Sequence, residues 1–207
     1  MPIVAVANPK GGVGKSTLAT NIAGYWASQG HEVLLGDVDE QQSSRLWLGL
    51  RPKDARPIQA WEVQRDFIVR PSRGAEHVVL DTPAGLGGLR MREVARLADG
   101  IVIPLQPGVL DMHATQTFLK QLTEWVGRRP VQLGLVGMRV DERTLAAGQL
   151  QSFTDAADVP VIGVLRSTQN YVQLAARGLT VFDVASSRVR RDLEQWEVLS
   201  GWLDALS

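Results

Sequence analysis

With 207 residues and 44% apolar side chains, the chain is long enough to bury one substantial core, and a single domain over residues 1–207 is the expectation. It has no cysteine, which excludes a disulfide framework, a thiolate zinc site and a cysteine-held iron–sulfur cluster. No apolar run reaches the ~18–20 residues of a spanning helix, so a cytoplasmic protein is expected, and the formal net charge of zero hides a basic stretch around Arg188, Arg190 and Arg191 followed by an acidic tail.

In chain order, the apolar residues 3–8 predict a strand and residues 15–29 a helix. Between them runs Asn8-Pro9-Lys10-Gly11-Gly12-Val13-Gly14-Lys15-Ser16-Thr17. A glycine loop between a strand and a helix start is the context for phosphate binding. Glycines let the chain curl so that backbone N–H groups face inward, and the helix N-terminus adds partial positive charge. In such a loop Lys15 reaches the terminal phosphates and the Ser16 hydroxyl ligates magnesium. Gly11, Gly12, Val13, Gly14 and Thr17 complete the cradle.

Residues 32–37 predict a second strand, closed by Asp37 and Asp39, which share one side of an extended backbone. Beside a magnesium–triphosphate, such carboxylates hold the ion's water shell or orient an attacking water. Taken alone, paired acids at a strand end read first as the N-cap of a helix over residues 41–48. Residues 50–59, with Pro52 and Pro57, read as a surface connection. Residues 77–81 form a third apolar run ending in Asp81, placed to hold magnesium, and the glycines of 85–88 let the following loop shift. Further strands are expected at 100–105, 132–138 and 159–165, and helices at 90–98, 111–126, 142–157, 171–177 and 187–206. Continuous rather than alternating apolarity places these strands in a sheet covered on both faces. The class is therefore α/β, a doubly wound, mostly parallel sheet flanked by helices, with ligands at the carboxyl ends of the strands. His31, His77 and His113 show no metal-ligand spacing, and the six tryptophans read as packing residues.

Two lysines bracket the loop, because Pro9 stands where the general phosphate-loop pattern has glycine and Lys10 follows it. A loop this tight leaves little room for a second ammonium to fold inward, so Lys10 points outward, towards a nucleotide held by a partner. This pattern resembles the deviant Walker A loop of the ParA/MinD superfamily, most closely the small ParA-type partition ATPases. The resemblance implies a P-loop NTPase fold of the SIMIBI type and a signature lysine acting across a dimer interface. Asp37-Val38-Asp39-Glu40-Gln41 is similar to the family's Asp-x-Asp-Pro-Gln segment, with Glu40 in place of proline. That likeness gives Asp39 the task of positioning water, with Asp37 in support. Asp81 resembles the Walker B aspartate. Residues 104–111 look like the family's entry to a helix at the dimer face, and residues 139–144 like its base-contacting region. The resemblance places Met138 and Arg139 at the base; Met138 stands where the family usually has asparagine, so the chain lacks that amide for reading adenine. Residues 166–171 and 175–182 look like the family's final α/β unit.

The implied function is that of a compact ParA-like ATPase without an N-terminal DNA-reading domain. It uses ATP and Mg2+, forms an ATP-dependent homodimer with weak basal hydrolysis, and binds DNA without sequence preference through Arg188, Arg190 and Arg191. A ParB-like or adaptor protein stimulates hydrolysis, and the ATP state is nucleoid-associated. A MinD-like membrane ATPase is a second reading. It requires a basic amphipathic C-terminal helix, whereas the stripe of Leu193, Trp196, Leu199, Trp202, Leu203 and Leu206 is flanked by acids, so no membrane is expected. A biosynthetic P-loop enzyme that activates a carboxylate is the third.

Overall fold

The computed structural model describes residues 1–63, 68–71, 74–127, 130–141 and 143–206. Its centre is β1 (Ile3–Val6), whose four side chains are all buried. Apolar residues on both sides of a strand require a layer of helices on each face, and the chain supplies them by crossing over after nearly every strand. In order, the elements after β1 are α1 (Lys15–Ser28), β2 (Val33–Asp37), α2 (Ser43–Leu50), β3 (Gln59–Trp61), β4 (His77–Asp81), α3 (Gly88–Leu97) and β5 (Gly100–Leu105). Then come α4 (Val109–Val126), β6 (Gln132–Val140), α5 (Leu145–Asp155), β7 (Val161–Arg166), α6 (Asn170–Ala175) and α7 (Ser186–Asp204). The strands form one sheet in the order β3-β2-β4-β1-β5-β6-β7, and every pairing is parallel.

The two faces carry separate cores. Val4, Val6, Leu35, Val79 and Val102 meet Leu18, Ile22 and Trp26 of α1 and Trp196, Leu199 and Leu203 of α7. Ala5, Leu80, Ile101, Ile103 and Leu135 meet Met91 and Val94 of α3, Phe118 and Leu122 of α4 and Leu150 of α5. The apolar stripe of α7 is thus core, with Leu193, Trp202 and Leu206 partly buried against it. Two buried polar side chains on α1 donate within the helix: the Thr20 hydroxyl to the Ser16 carbonyl at 2.8 Å and the Asn21 amide to the Thr17 carbonyl at 2.8 Å.

Three features depart from the sequence expectation. Residues 59–61 form an edge strand at the end of the stretch read as a surface connection. Gln59 and Ala60 are exposed, so the strand carries no apolar run, and pairing with Leu34–Gly36 defines it. Gly36 makes room for this, since a Cβ there would lie 2.5 Å from the Trp61 ring. The strand expected to end at 138 instead runs to Val140, with a register shift against β7 between Gly137 and Val140 and Arg139 in the left-handed region at φ 54°. The helix expected from residue 142 begins at Leu145, and Glu142 lies outside the described residues.

The end of α2 is locked to the loop before α7. Arg51 and Asp183, both almost fully buried, form a bidentate ion pair at 2.8 and 3.0 Å, and Arg51 also donates to the Gly178 carbonyl at 3.0 Å. Asp183 further accepts from the Thr180 N–H and hydroxyl, each at 2.7 Å, so its charge is fully compensated. Gly178 sits at φ 65°, and a Cβ there would meet Leu50 and Arg51 backbone at 2.4 Å. Gly178→Ala therefore adds left-handed strain of ~1–2 kcal/mol to overpacking of ~1–3 kcal/mol. Thermal denaturation should show a midpoint lowered by several degrees; an unchanged midpoint contradicts this packing.

Candidate functional site

The loop between β1 and α1 leaves the sheet where the strand order reverses, with β4 on one side of β1 and β5 on the other. Gly12 and Gly14 take the left-handed conformation at φ 74° and 98°, which turns successive N–H groups to one side. Gly14 is the N-cap of α1, and no acid lies in the first turn, so the helix start presents uncompensated positive charge. Val13 is buried and anchors the loop, while Gly11 and Gly12 are exposed.

The loop is pinned from both flanks. Asn8, itself buried, donates its amide to the Pro104 carbonyl at 2.8 Å and the Thr115 hydroxyl at 3.1 Å, and accepts from the Lys10 N–H at 2.8 Å. Gln106 donates to the Gly12 carbonyl at 2.9 Å. From the β4 side, the Thr82 hydroxyl donates to the Val6 carbonyl at 2.8 Å and the Gly85 N–H to the Pro9 carbonyl at 2.8 Å.

The two lysines are treated differently. Lys15 is buried, and its ammonium donates to the Lys10 carbonyl at 2.7 Å, folded over its own loop. Burial pulls its pKa below the ordinary lysine value, against the charges of Asp81 and Asp39. Lys10 is half-buried, and among the described residues its ammonium forms no hydrogen bond or ion pair. Ser16 and Thr17 open α1 beneath the loop, both half-buried.

The carboxylates divide their tasks. Asp37 accepts three backbone N–H groups: Asp39 at 2.9 Å on one oxygen, and Ser44 at 2.8 Å and Arg45 at 3.2 Å on the other. It caps α2 from the end of β2, so the capping option that the sequence left open for the pair of acids falls to Asp37. Burial raises its pKa, those N–H groups oppose the rise, and the Asp39 charge adds to it. Asp39 accepts from the Gln41 N–H at 3.0 Å through Oδ1, which leaves Oδ2 outside that bond. It lines a cleft of about 600 Å³ with Pro83, Ala84 and Arg90.

Asp81 is fully buried. Its Oδ2 accepts from the Ser44 hydroxyl at 2.7 Å, and its Oδ1, among the described residues, has no hydrogen-bond partner. Burial pushes its carboxyl up to about 7; the Ser44 and Ser16 hydroxyls oppose this, Asp37 adds to it and Lys15 opposes it. A buried carboxylate oxygen with no partner beside the Ser16 hydroxyl fits a hydrated divalent cation. Ser16 and Asp81 are thus the residues that suit magnesium, whereas both oxygens of Asp37 already serve backbone.

Met138 and Arg139 fall at the end of β6. Met138 is buried core, and its Cε would lie 2.8 Å from a Cβ at Gly14, so it underpins the phosphate loop as filling. Arg139 is exposed. With Gln42 at φ 50°, it is one of the two non-glycine residues with positive φ among the described residues. Arg139 lies at the carboxyl end of β6 and Gln42 in the turn between β2 and α2, positions where backbone strain tends to gather. The Gln42 amide donates to the Asp37 and Asp39 carbonyls at 3.0 and 2.8 Å, holding the acidic turn. Arg188, Arg190 and Arg191 are exposed at the start of α7, which is kinked at Val189. Sequence reasoning gave no role to Ser44, Gln42 or Gln106, and noted Asn8 only as the lead into the loop.

Residues 4–181 match the family described as CobQ/CobB/MinD/ParA nucleotide binding domain; the arginines of α7 lie beyond that match. The maintenance of carboxysome distribution protein A of Gloeobacter kilaueensis is 31% identical over 196 residues, covering 91% of this chain and 87% of its own length. The chromosome-partitioning ATPase Soj of Thermus thermophilus is 30% identical over 184 residues, covering 72% of this chain and 74% of that one. Among solved structures, the MinD cell division protein of Aquifex aeolicus superposes with a TM-score of 0.77, covering 100% of this chain and 98% of that one. At 17% identity, that likeness speaks for the fold alone.

Asp81 also sets a pH dependence. A carboxyl held near 7 in the folded chain, against about 4 unfolded, binds its proton more tightly when folded. Its contribution to stability is therefore intact below about pH 4, declines as pH rises, and is lost above about 7. Asp81→Asn cannot ionise, so the nucleotide-free variant should gain on wild type by about 2–3 kcal/mol between pH 5 and 8. Denaturant melts across that range measure the gap; one that does not change with pH contradicts the assignment.

Proposed function

Because the chain belongs to the CobQ/CobB/MinD/ParA nucleotide-binding family, we propose that it is an ATP-hydrolysing positioning protein whose two copies close face to face around two nucleotides. The observation that carries this reading is the contrast between the lysines. Lys15 folds over its own loop, whereas Lys10 makes no side-chain bond among the described residues of its subunit. A second observation supports it: α3 and α4 start on either side of the loop with Leu89, Val109 and Leu110 at 77%, 64% and 75% exposure. Apolar side chains clustered beside a charged site suit a surface that a partner covers.

In this mechanism the N–H groups of Gly11 to Thr17 hold the phosphates, with Lys15 shifting from the Lys10 carbonyl to the terminal phosphates. Ser16 and Asp81 would hold magnesium, which when bound would supply neutralisation of phosphate charge. Asp39 orients the attacking water through Oδ2 while its Oδ1 is fixed by the Gln41 N–H. Lys10 of each subunit reaches the phosphates of the other, a cation delivered across an interface, worth roughly 10³–10⁵ in rate in other NTPases, or about 4–7 kcal/mol. Arg139 lies at the strand end proposed for contact with the base, with Met138 shaping the floor below. Loss of the terminal phosphate frees the 37–44 turn, and the pair separates.

The ATP-bound pair binds DNA without sequence preference through Arg188, Arg190 and Arg191, associates with the nucleoid, and moves a plasmid, chromosome or protein assembly. A ParB-like or adaptor partner speeds hydrolysis. Membrane attachment through α7 is disfavoured because its apolar stripe is already packed against the sheet.

Lys10→Ala should retain ATP binding, lose ATP-dependent association, and turn over ATP roughly 10³-fold more slowly. Sedimentation and steady-state turnover measure this, and wild-type values in the variant overturn the role. Replacing Arg188, Arg190 and Arg191 by alanine should weaken DNA binding about equally for unrelated sequences. It should also flatten the salt dependence by about 0.9 log units for each phosphate that is no longer neutralised. Fluorescence anisotropy across salt concentrations reads both; unchanged affinity and slope place the DNA surface elsewhere.

A further inference from the structure

At the edge of the sheet opposite the phosphate loop, three side chains from two distant segments converge. His31 follows the left-handed turn at Gly30 that ends α1, its N–H donating to the Trp26 carbonyl at 3.2 Å. Glu76 and His77 lead into β4, and both of their N–H groups donate to the Glu32 carbonyl, at 2.8 and 3.1 Å. Backbone at the entry to the β2–β4 ladder therefore fixes all three positions. One ligand atom from each residue, a ring nitrogen from each histidine and a carboxylate oxygen from Glu76, lies within 4.8 Å of the other two. His31 Nδ1 already stands 2.9 Å from Glu76 Oε2, and the two imidazole centroids are 4.4 Å apart. The Trp26 ring backs His77 on the buried side, also at 4.4 Å.

We propose that His31, Glu76 and His77 form a site for a borderline divalent transition-metal cation of the zinc type, separate from the nucleotide site. Two imidazoles and a carboxylate make up a three-ligand zinc donor set, with the fourth position left to water. That position has room on the solvent side, where the His31 and Glu76 side chains are 41% and 58% exposed. Magnesium and calcium prefer all-oxygen sets, so the magnesium that serves ATP does not compete here. Binding replaces the His31–Glu76 hydrogen bond with two metal bonds and ties the end of α1 to the start of β4, stiffening the helix whose other end carries the phosphate loop. No short sequence motif marks the site, because 45 residues separate its two halves.

The test uses the full chain without an affinity tag or nucleotide, stripped by a chelator and titrated with zinc against a chromophoric competitor. One equivalent per chain is expected, unaffected by millimolar magnesium, and cobalt in its place should give the visible absorption of a four-coordinate site. His31→Ala and Glu76→Gln change partly exposed side chains and should leave the melting midpoint of the metal-free protein near wild type. Each should weaken zinc binding by more than the ~10–100-fold typical of losing an outer-shell partner. Less than one equivalent bound, or equal zinc affinity in wild type and both variants, overturns the proposal.

Discussion

A loop whose N–H groups mostly face a ligand has few hydrogen bonds of its own to hold it open, so flanking residues have to supply the rest. Here the principal neighbour is the buried amide of Asn8, which joins the Lys10 N–H to the Pro104 carbonyl and the Thr115 hydroxyl. Gln106 holds the Gly12 carbonyl from the same side, while Thr82 and Gly85 hold the Val6 and Pro9 carbonyls from the other. This is possible because β1 lies between β4 and β5 in a parallel sheet. All three strands then release their chains at one edge, and the loop arises where the crossovers diverge. The phosphate cradle is preorganised by the sheet, which keeps the ordering cost of binding low.

The acidic turn is coupled to that cradle through α2. Asp37 caps the helix, and Ser44 in its first turn donates to Asp81, so a movement of the turn is felt at the buried carboxylate. At the far end, Arg51 fastens α2 to Asp183 and Gly178. A helix held at both ends moves as one body, and it links the nucleotide edge to the segment leading into α7. Lys15 and Asp81 are both depressed in charge by burial, so each is poised to be stabilised as an ion by phosphate and cation together.

The sequence made the central strands legible because they are buried on both faces and read as unbroken apolar runs. Residues 59–61 lack such a run, being an exposed edge defined by pairing with β2. The phosphate loop, Asp39 and Asp81 were visible as local strings at strand ends. Asn8 and Gln106 in their clamping roles were not, since their partners lie 96 and 94 residues away. Ser44 meets Asp81 across 37 residues, and only the β2–β4 register brings them together. Asp37 shows the reverse case: its residue type was read as suited to metal, but its place at the strand end, facing the first turn of α2, commits it to backbone. The same distance hid the His31, Glu76 and His77 cluster, where no motif spacing exists to be read.

The account depends most on Lys10 acting on the other subunit's nucleotide, and mixing two inactive variants tests this directly. Lys10→Ala keeps Asp39 but lacks the crossing cation; Asp39→Ala keeps Lys10 but lacks the residue that orients water. In a hybrid pair, action across the interface gives the Lys10→Ala subunit one complete site. At concentrations where hybrid pairs form, an equimolar mixture should then turn over ATP well above either variant alone, up to about a quarter of wild type for random pairing, in which half of the pairs are hybrids with one of two sites intact. Turnover no higher than that of either variant alone, with hybrid pairs demonstrably formed, would show that Lys10 serves its own subunit and contradict the account.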